Sequence, residues 1–175
     1  MSAGKFLKPA MAGIFVMALA SCEDGGLSGT SGSDRFRKDY TAARSALEAG
    51  QFATANRIYA RMLESAGPLE SRIRLEYAHS LLRGGAYDQA AAQAQGLANS
   101  QTGTARSAAL SVLGVARHEM GLSALADGDA AGGRAHLIAA RTAMAEVLAN
   151  DPDLDPLGAL AGRQASIAVR LKALG

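Results

Sequence analysis

The sequence predicts an all-α protein, and three observations support this fold class. Alanine, the strongest helix former, accounts for 39 of the 175 residues. Aromatic residues make up only 5% and Trp is absent, which is atypical of β-sandwiches and barrels. Apolar residues recur three and four positions apart between glycine-containing turns. We therefore expect one helical domain, with helices near residues 36–49, 52–66, 69–83, 87–99, 104–127, 130–150 and 155–174.

Residues 1–21 have the pattern of an export signal. Lys5 and Lys8 precede an apolar run over residues 10–20, which is too short to cross the hydrocarbon core of a membrane. The run leads into Leu19-Ala20-Ser21-Cys22, which resembles the lipobox of bacterial lipoproteins. The resemblance implies cleavage before Cys22 and covalent lipid on Cys22, the only cysteine of the chain. The alternative is a plain signal peptide followed by an incidental cysteine.

A lipidated cysteine would be joined to the helical domain by a short tether. Residues 22–35 are rich in Gly and Ser with almost no apolar side chains, so composition predicts a flexible segment before a domain over 36–175. Two or more acyl chains hold a protein stably on a membrane. Because Glu23 follows Cys22, the lipoprotein resemblance also implies the periplasmic face of the outer membrane.

The charge balance of the mature chain gives no sign of nucleic-acid binding. Removal of Lys5 and Lys8 leaves 16 basic and 16 acidic residues. A neutral domain lacks the basic surface that phosphate backbones require. We therefore expect no nucleic-acid partner.

Two stretches of the chain repeat each other. The segment Gly50-Gln51-Phe52-Ala53-Thr54-Ala55 aligns with Gly85-Ala86-Tyr87-Asp88-Gln89-Ala90, and the same offset relates Ala43 to Ala78. A two-helix period near 34 residues is typical of tetratricopeptide repeats (TPR), and these residues resemble that family. The resemblance implies an α-solenoid of about three helical hairpins. The alternative is a generic Ala-rich helical bundle.

The third repeat predicts a longer hairpin. Leu113-Gly114 fits the first-helix pattern, but the turn signal Asp127-Gly128-Asp129 comes seven residues after the expected position at Gly121. Seven residues are nearly two helical turns, so this hairpin should protrude by about 10 Å. Its tip either frays or contacts a partner. A final amphipathic helix, predicted from Leu157, Leu160, Gln164, Ile167, Leu171 and Leu174, would cap the solenoid.

No pattern of catalytic or metal-binding residues emerges from the chain. His118-Glu119 begins like a zinc-protease helix, but Leu122 stands where the second histidine ligand is required. Phosphate-binding glycine loops and nucleophile elbows are absent from the sequence. We predict a protein that is not an enzyme, with no metal and no cofactor apart from lipid on Cys22.

The TPR resemblance implies a concave groove lined by the first helix of each repeat. Arginine is the dominant residue type of this face, and its planar guanidinium binds carboxylates through two hydrogen bonds. An acidic segment or a C-terminal carboxylate is therefore the expected ligand. Alternatively, the arginines form a solvated face and pair with Asp39, Glu48, Glu70 and Glu76. The candidate groove residues are Arg37, Tyr40, Arg44, Arg72, His79 and Arg83.

The combined pattern is similar to the TPR lipoproteins of pilus and secretion assembly, which include pilotins and the lipoproteins of tight-adherence pili. That resemblance implies a membrane-anchored adaptor that binds an envelope protein such as a secretin or a pilus component. The alternatives are an accessory lipoprotein of outer-membrane protein insertion and a regulator of a peptidoglycan enzyme. Self-association through the third hairpin or an incompletely capped end is also expected to be possible.

Overall fold

The structure is a computed structural model that describes the backbone of residues 27–175 and the side chains of residues 32–175. Within this range it is all-α, as predicted, and contains no strand. The export signal, Cys22 and the start of the tether lie outside the described residues. None of the described helices is both long enough and apolar enough to cross a membrane. The helices are α1 (Leu27–Glu48), α2 (Phe52–Leu63), α3 (Glu70–Arg83), α4 (Tyr87–Ser100), α5 (Gly103–Ala126), α6 (Ala130–Asn150) and α7 (Ala159–Ala173).

Three helical hairpins close with the same type of turn. Gly50, Gly85 and Gly128 have φ angles of +72°, +78° and +85°, a region that glycine enters without the strain of a Cβ atom. Each glycine lies in a Schellman motif, in which the next amide donates to a carbonyl five residues earlier. These bonds run from Gln51 to Ala46, from Ala86 to Leu81 and from Asp129 to Ala124, at 2.8–2.9 Å. The turns lie at the positions that the sequence predicts.

Each helix packs against its neighbours in sequence, and α5 also packs against α3 and α7. The repeated small residues are central to this packing. Ala43 and Ala78 are both fully buried on the first helices, and Ala55 and Ala90 are fully buried on the second. Small side chains at these positions let neighbouring helices approach closely.

The core is divided into two clusters. The N-terminal cluster is built from α1, α2 and the start of α3 and includes Tyr59 and Ile73. The C-terminal cluster extends from Ala78 to Ile167. Tyr77, which is partly buried, packs against both.

The third hairpin is elongated, as predicted: α5 has 24 residues and α6 has 21, whereas α3 and α4 have 14 each. Two buried glycines mark a close approach of its helices. A Cβ atom on Gly121 would lie 3.2 Å from the carbonyl oxygen of Gly133, and a Cβ on Gly133 would lie 3.1 Å from that of Gly121. Glycine near the tip therefore serves helix packing and does not indicate fraying.

The structure differs from the prediction at the start of α1. This helix begins at Leu27, so residues 27–35 of the segment expected to be a flexible tether are helical. The helix continues without a break into the part that packs around Ala43, so the N-terminal turns extend a helix that is already formed and need no nucleus of their own. The i,i+3 ion pair between Asp34 and Arg37 supports the added turns.

The last helix also begins later than predicted. Leu157 precedes α7 and is 93% exposed, whereas Leu160 and Ile167 are buried. Gly158 has a φ of +69° immediately before the helix. The carboxylate of Asp155 accepts hydrogen bonds from the amides of Leu160 and Ala161 at 2.9 and 3.0 Å, so this local capping sets where α7 begins.

Candidate functional site

The clearest group of converging polar side chains lies where α1 meets α3. Tyr40 Oη donates a hydrogen bond to Glu76 Oε1 at 3.2 Å, and Arg44 Nη1 donates to Glu76 Oε2 at 3.0 Å. Arg44 Nη2 also reaches Glu48 Oε1 at 3.2 Å. We call Tyr40, Arg44, Arg72 and Glu76 the Glu76 cluster. It joins the first helices of two successive hairpins, which is where the sequence places a groove.

Arg72 is the cation of this cluster that remains open to a ligand. Its guanidinium carbon lies 5.6 Å from the centre of the Tyr40 ring, and its Nη2 is 3.5 Å from Tyr40 Oη. The side chain is exposed and pairs with no carboxylate among residues 32–175. Stacking on Tyr40 and the long hydrogen bond from Nη2 to Tyr40 Oη orient the guanidinium, and its other donors remain free for an incoming carboxylate.

A small cavity of about 90 Å³ lies beside Arg72. Its lining is mostly apolar, and Leu69 at its edge is 43% exposed. The volume suits one aliphatic side chain. The site can therefore accept an apolar side chain next to a carboxylate. The lining residues are Phe36, Tyr40, Leu69, Arg72 and Ile73.

Tyr59 lies close to the Glu76 cluster and was not predicted from the sequence. It is fully buried, and its hydroxyl has no hydrogen-bond partner among the described residues. Burial raises the pKa of Tyr59 to about 12, and the nearby Glu76 carboxylate adds to the effect. A buried hydroxyl without a partner is uncommon in folded proteins, and because this one is closed off from solvent, Tyr59 belongs to the core beneath the Glu76 cluster and not to the surface of the groove. In the sequence, the helical spacing of apolar residues indicates only that Tyr59 is a core residue.

The other predicted groove residues divide into two groups. His79 lies on the same side as Glu76, where burial of the ring by surrounding protein lowers its pKa although the side chain remains partly open to solvent. Arg83 stacks on Phe52 with its guanidinium carbon 5.5 Å from the ring centre. Arg37 pairs with Asp34 on an exposed part of α1. The structure thus brings Tyr40, Arg44 and Arg72 together, with His79 nearby, while Arg37 and Arg83 have other partners.

The alternative interpretation, in which the groove arginines pair with nearby acids, holds for Arg44. This side chain contacts both Glu48 and Glu76. The carboxylates of Asp39 and Glu70 instead pair with Arg61 and Arg74, which were not assigned to the groove.

A second polar group joins α5 to α7. Arg163 Nη1 lies 2.7 Å from Glu119 Oε1 and 3.0 Å from His118 Nδ1. Burial lowers the pKa of His118, which favours the neutral ring with Nδ1 accepting from Arg163. His118 therefore helps to attach α7. No group of three or more potential metal ligands occurs in the part of the chain that the structure describes.

Comparison with protein-family models, curated proteins and solved structures gives no match to this chain. The site is therefore interpreted from its own geometry.

Proposed function

We propose that this chain is a non-catalytic TPR-type adaptor that binds a segment of a protein partner in the groove between α1 and α3. One observation carries the proposal: the exposed guanidinium of Arg72 has no carboxylate partner among the described residues and lies beside an apolar cavity of about 90 Å³. The ligand that fits is a segment with a carboxylate next to an aliphatic side chain.

The repeated geometry supports the TPR part of the proposal. Three hairpins share the glycine turn, and equivalent alanines are fully buried on α1 and α3. Side chains from these two first helices meet in the Glu76 cluster. A solenoid of TPR units places its first helices along one concave surface, where an extended segment can contact several of them.

The membrane part of the proposal rests on the sequence of residues 1–23. Cys22 would carry the lipid, which is the only attached group proposed, and the domain would face the periplasm from the outer membrane. In that location the adaptor would act in assembly of a pilus or secretion system, with a secretin or a pilus component as its partner.

Two alternative roles would use the same groove. In one the protein is an accessory lipoprotein of outer-membrane protein insertion, and in the other it regulates a peptidoglycan enzyme. A deletion strain distinguishes the three roles: loss of pili or secretin multimers supports the first, depleted barrel proteins the second and altered wall cross-linking the third.

The test is covalent crosslinking in intact cells at native expression, followed by purification of the tagged chain from solubilised envelopes. We expect wild type to recover a specific envelope protein and Arg72→Glu to recover about tenfold less, equivalent to about 1.4 kcal/mol of binding free energy. Arg57→Glu is the matched control because Arg57 is an exposed arginine on α2, outside the groove.

Unchanged capture by Arg72→Glu contradicts the groove. Cys22→Ala tests the anchor separately, since it should release the protein from the membrane fraction. A wild-type chain that fractionates as soluble protein contradicts the anchor.

A further inference from the structure

A second concave surface runs along α5, between α4 and α6. Two cavities lie on it. One, of about 570 Å³, is bounded by the start of α4, the end of α5 and the start of α6. The other, of about 320 Å³, is bounded by α4, the first half of α5 and the second half of α6.

The two cavities are halves of one groove, which we call the α5 groove. The α5 side chains that line them follow steps of three and four residues, so they lie on a single face of the helix. Over this range α5 is about 25 Å long. These lining residues are Arg106, Leu110, Leu113, Arg117, Met120 and Ala124, with Ser123 beside Ala124 and Asp127 directly after the end of α5.

One contact marks the junction of the halves. Arg117 lines the smaller cavity and His136 lines the larger, and Arg117 Nη1 lies 3.3 Å from His136 Nδ1. Since α5 and α6 run antiparallel through the Gly128 turn, α6 forms one wall of both halves. The two cavities therefore lie end to end along the hairpin, with the contact between Arg117 and His136 between them.

The spacing of the α5 side chains that line the α5 groove indicates the shape of the segment that would bind there. Alternating steps of three and four residues are the spacing of a helix face that receives another helix. The rim adds exposed apolar surface: Ile138 is 46% exposed and lies one turn before Thr142, which lines the groove. A helix above α5 would contact α4 on one side and α6 on the other, as in helix-in-groove recognition.

The charges of the groove identify the chemistry of the occupant. Asp88, Asp127 and Asp129 line the larger cavity together with apolar groups such as Met120. Asp88 and Asp127 are exposed, and their carboxylates make no hydrogen bond or ion pair with another described residue. Asp129 caps α6 by accepting a hydrogen bond from the Gly132 amide at 2.8 Å.

The opposite end of the α5 groove carries the opposite excess of charge. Arg106 Nε lies 2.7 Å from Glu146 Oε1, so these two groups neutralise each other, but Arg117 also lines this end and contacts His136 instead of a carboxylate. The groove is therefore acidic at the end near the hairpin tip and carries towards the other end a cation, Arg117, that pairs with no carboxylate of the described residues.

We propose that the α5 groove is a second docking surface, which binds an amphipathic helix of a partner protein with Lys or Arg residues at the end over Asp88, Asp127 and Asp129. It is independent of the groove at Arg72, which is formed by other helices and selects the opposite charge. A partner could thus be held at the two surfaces at once.

The experiment uses the full chain in detergent and two labelled synthetic helical peptides of about 20 residues. Both carry leucines at the three-four spacing, and they differ only in four residues at one end, which are Lys in one peptide and Glu in the other. By fluorescence anisotropy we expect the Lys peptide to bind at least about tenfold more tightly, because only it complements the three aspartates.

Two alanines of α6 provide a matched pair of variants. Ala139 and Ala145 are both exposed, but only Ala139 lines the α5 groove. Ala139→Arg should weaken binding of the Lys peptide about tenfold, and Ala145→Arg should leave it unchanged. The doubly substituted Asp88→Asn, Asp127→Asn chain keeps side-chain volume and should remove the preference for Lys over Glu. Circular dichroism checks that each variant retains its helices.

Three outcomes overturn the proposal: equal binding of the two peptides, equal effects of the two alanine substitutions, or a concentration-dependent dimer that Ala139→Arg abolishes. The last result would assign the groove to a second copy of the chain. Arg72→Glu should not alter binding of the Lys peptide, so failure here and failure of the Arg72 groove are distinguishable.

Discussion

Arg44 on α1 and Glu76 on α3 are joined by a 3.0 Å hydrogen bond that bypasses α2. The hydrogen bond and the charge of Glu76 raise the pKa of Arg44, so the guanidinium stays protonated. The side chains are 42% and 21% exposed, and solvent therefore screens their attraction. This ion pair sets the position of one hairpin against the next more than it stabilises either.

A double-mutant cycle measures the coupling of this pair. We expect Arg44→Met and Glu76→Gln to show a coupling of about 0.5–1 kcal/mol in urea unfolding, because the pair is partly exposed. Arg61 and Asp39, 3.5 Å apart without a hydrogen bond, should couple more weakly. Equal coupling in the two pairs would contradict the special role of Arg44 and Glu76.

Two glycines of the helices should respond in opposite ways to alanine. In Gly121→Ala the new Cβ would lie 2.9 Å from Leu137 Cγ, with the Gly133 carbonyl behind it, so we expect a loss of about 1–3 kcal/mol. Gly96 lies in α4 with open space around it, and Gly96→Ala should stabilise the chain by about 0.5–1 kcal/mol. Thermal and urea unfolding give both values. A neutral Gly121→Ala would mean that α5 and α6 are not closely packed there.

We expect the free energy of unfolding to decrease as the pH is lowered from about 7.5 to about 5.5. Burial lowers the pKa of His118 and His79 below the ordinary histidine value of 6.5, so the unfolded chain binds more protons than the folded chain as pH falls through that value. The free energy of unfolding should therefore decrease on acidification. In the doubly substituted His118→Gln, His79→Gln chain this decrease should be smaller. A wild-type free energy of unfolding that is unchanged over this range refutes the assignment.

The attachment of α7 depends on Asp155. Its carboxylate accepts hydrogen bonds from two amides at the start of the helix, which lowers the pKa of Asp155. Asp155→Ala should lower the free energy of unfolding and increase amide hydrogen exchange in α7. Asp153→Ala is the control, because Asp153 is exposed and does not cap α7. Similar exchange in the two variants would show that the cap is unimportant.

The turns and most helix bounds could be predicted because their causes are local. Gly50, Gly85 and Gly128 each permit a positive φ that other residues rarely adopt, and each therefore ends a helix where it occurs. The fold class follows from alanine content and spacing in the same way. The start of α1 could not be predicted, because the Gly- and Ser-rich composition favours coil while a helix nucleated further along extends through it.

The pairing of long side chains could be predicted only in part. Glu76 was available as a partner from the sequence, but its choice of Arg44 and Tyr40 depends on how α1 and α3 are rotated against each other. The same applies to Arg83, because its contact with Phe52 depends on how the end of α3 is placed against the start of α2. The α5 groove was missed because its two walls come from helices that are separated in sequence by α5 itself.

The division of the core into two clusters has a consequence for how the chain acquires its structure. Nearly all packing joins helices that are adjacent in sequence, so little loop-closure entropy is lost before favourable contacts form. The N-terminal cluster is complete by Ile73. We therefore expect the first hairpin to assemble against α3 while α5, α6 and α7 are still being synthesised, with Tyr77, which packs against both clusters, as a point of contact between the two halves.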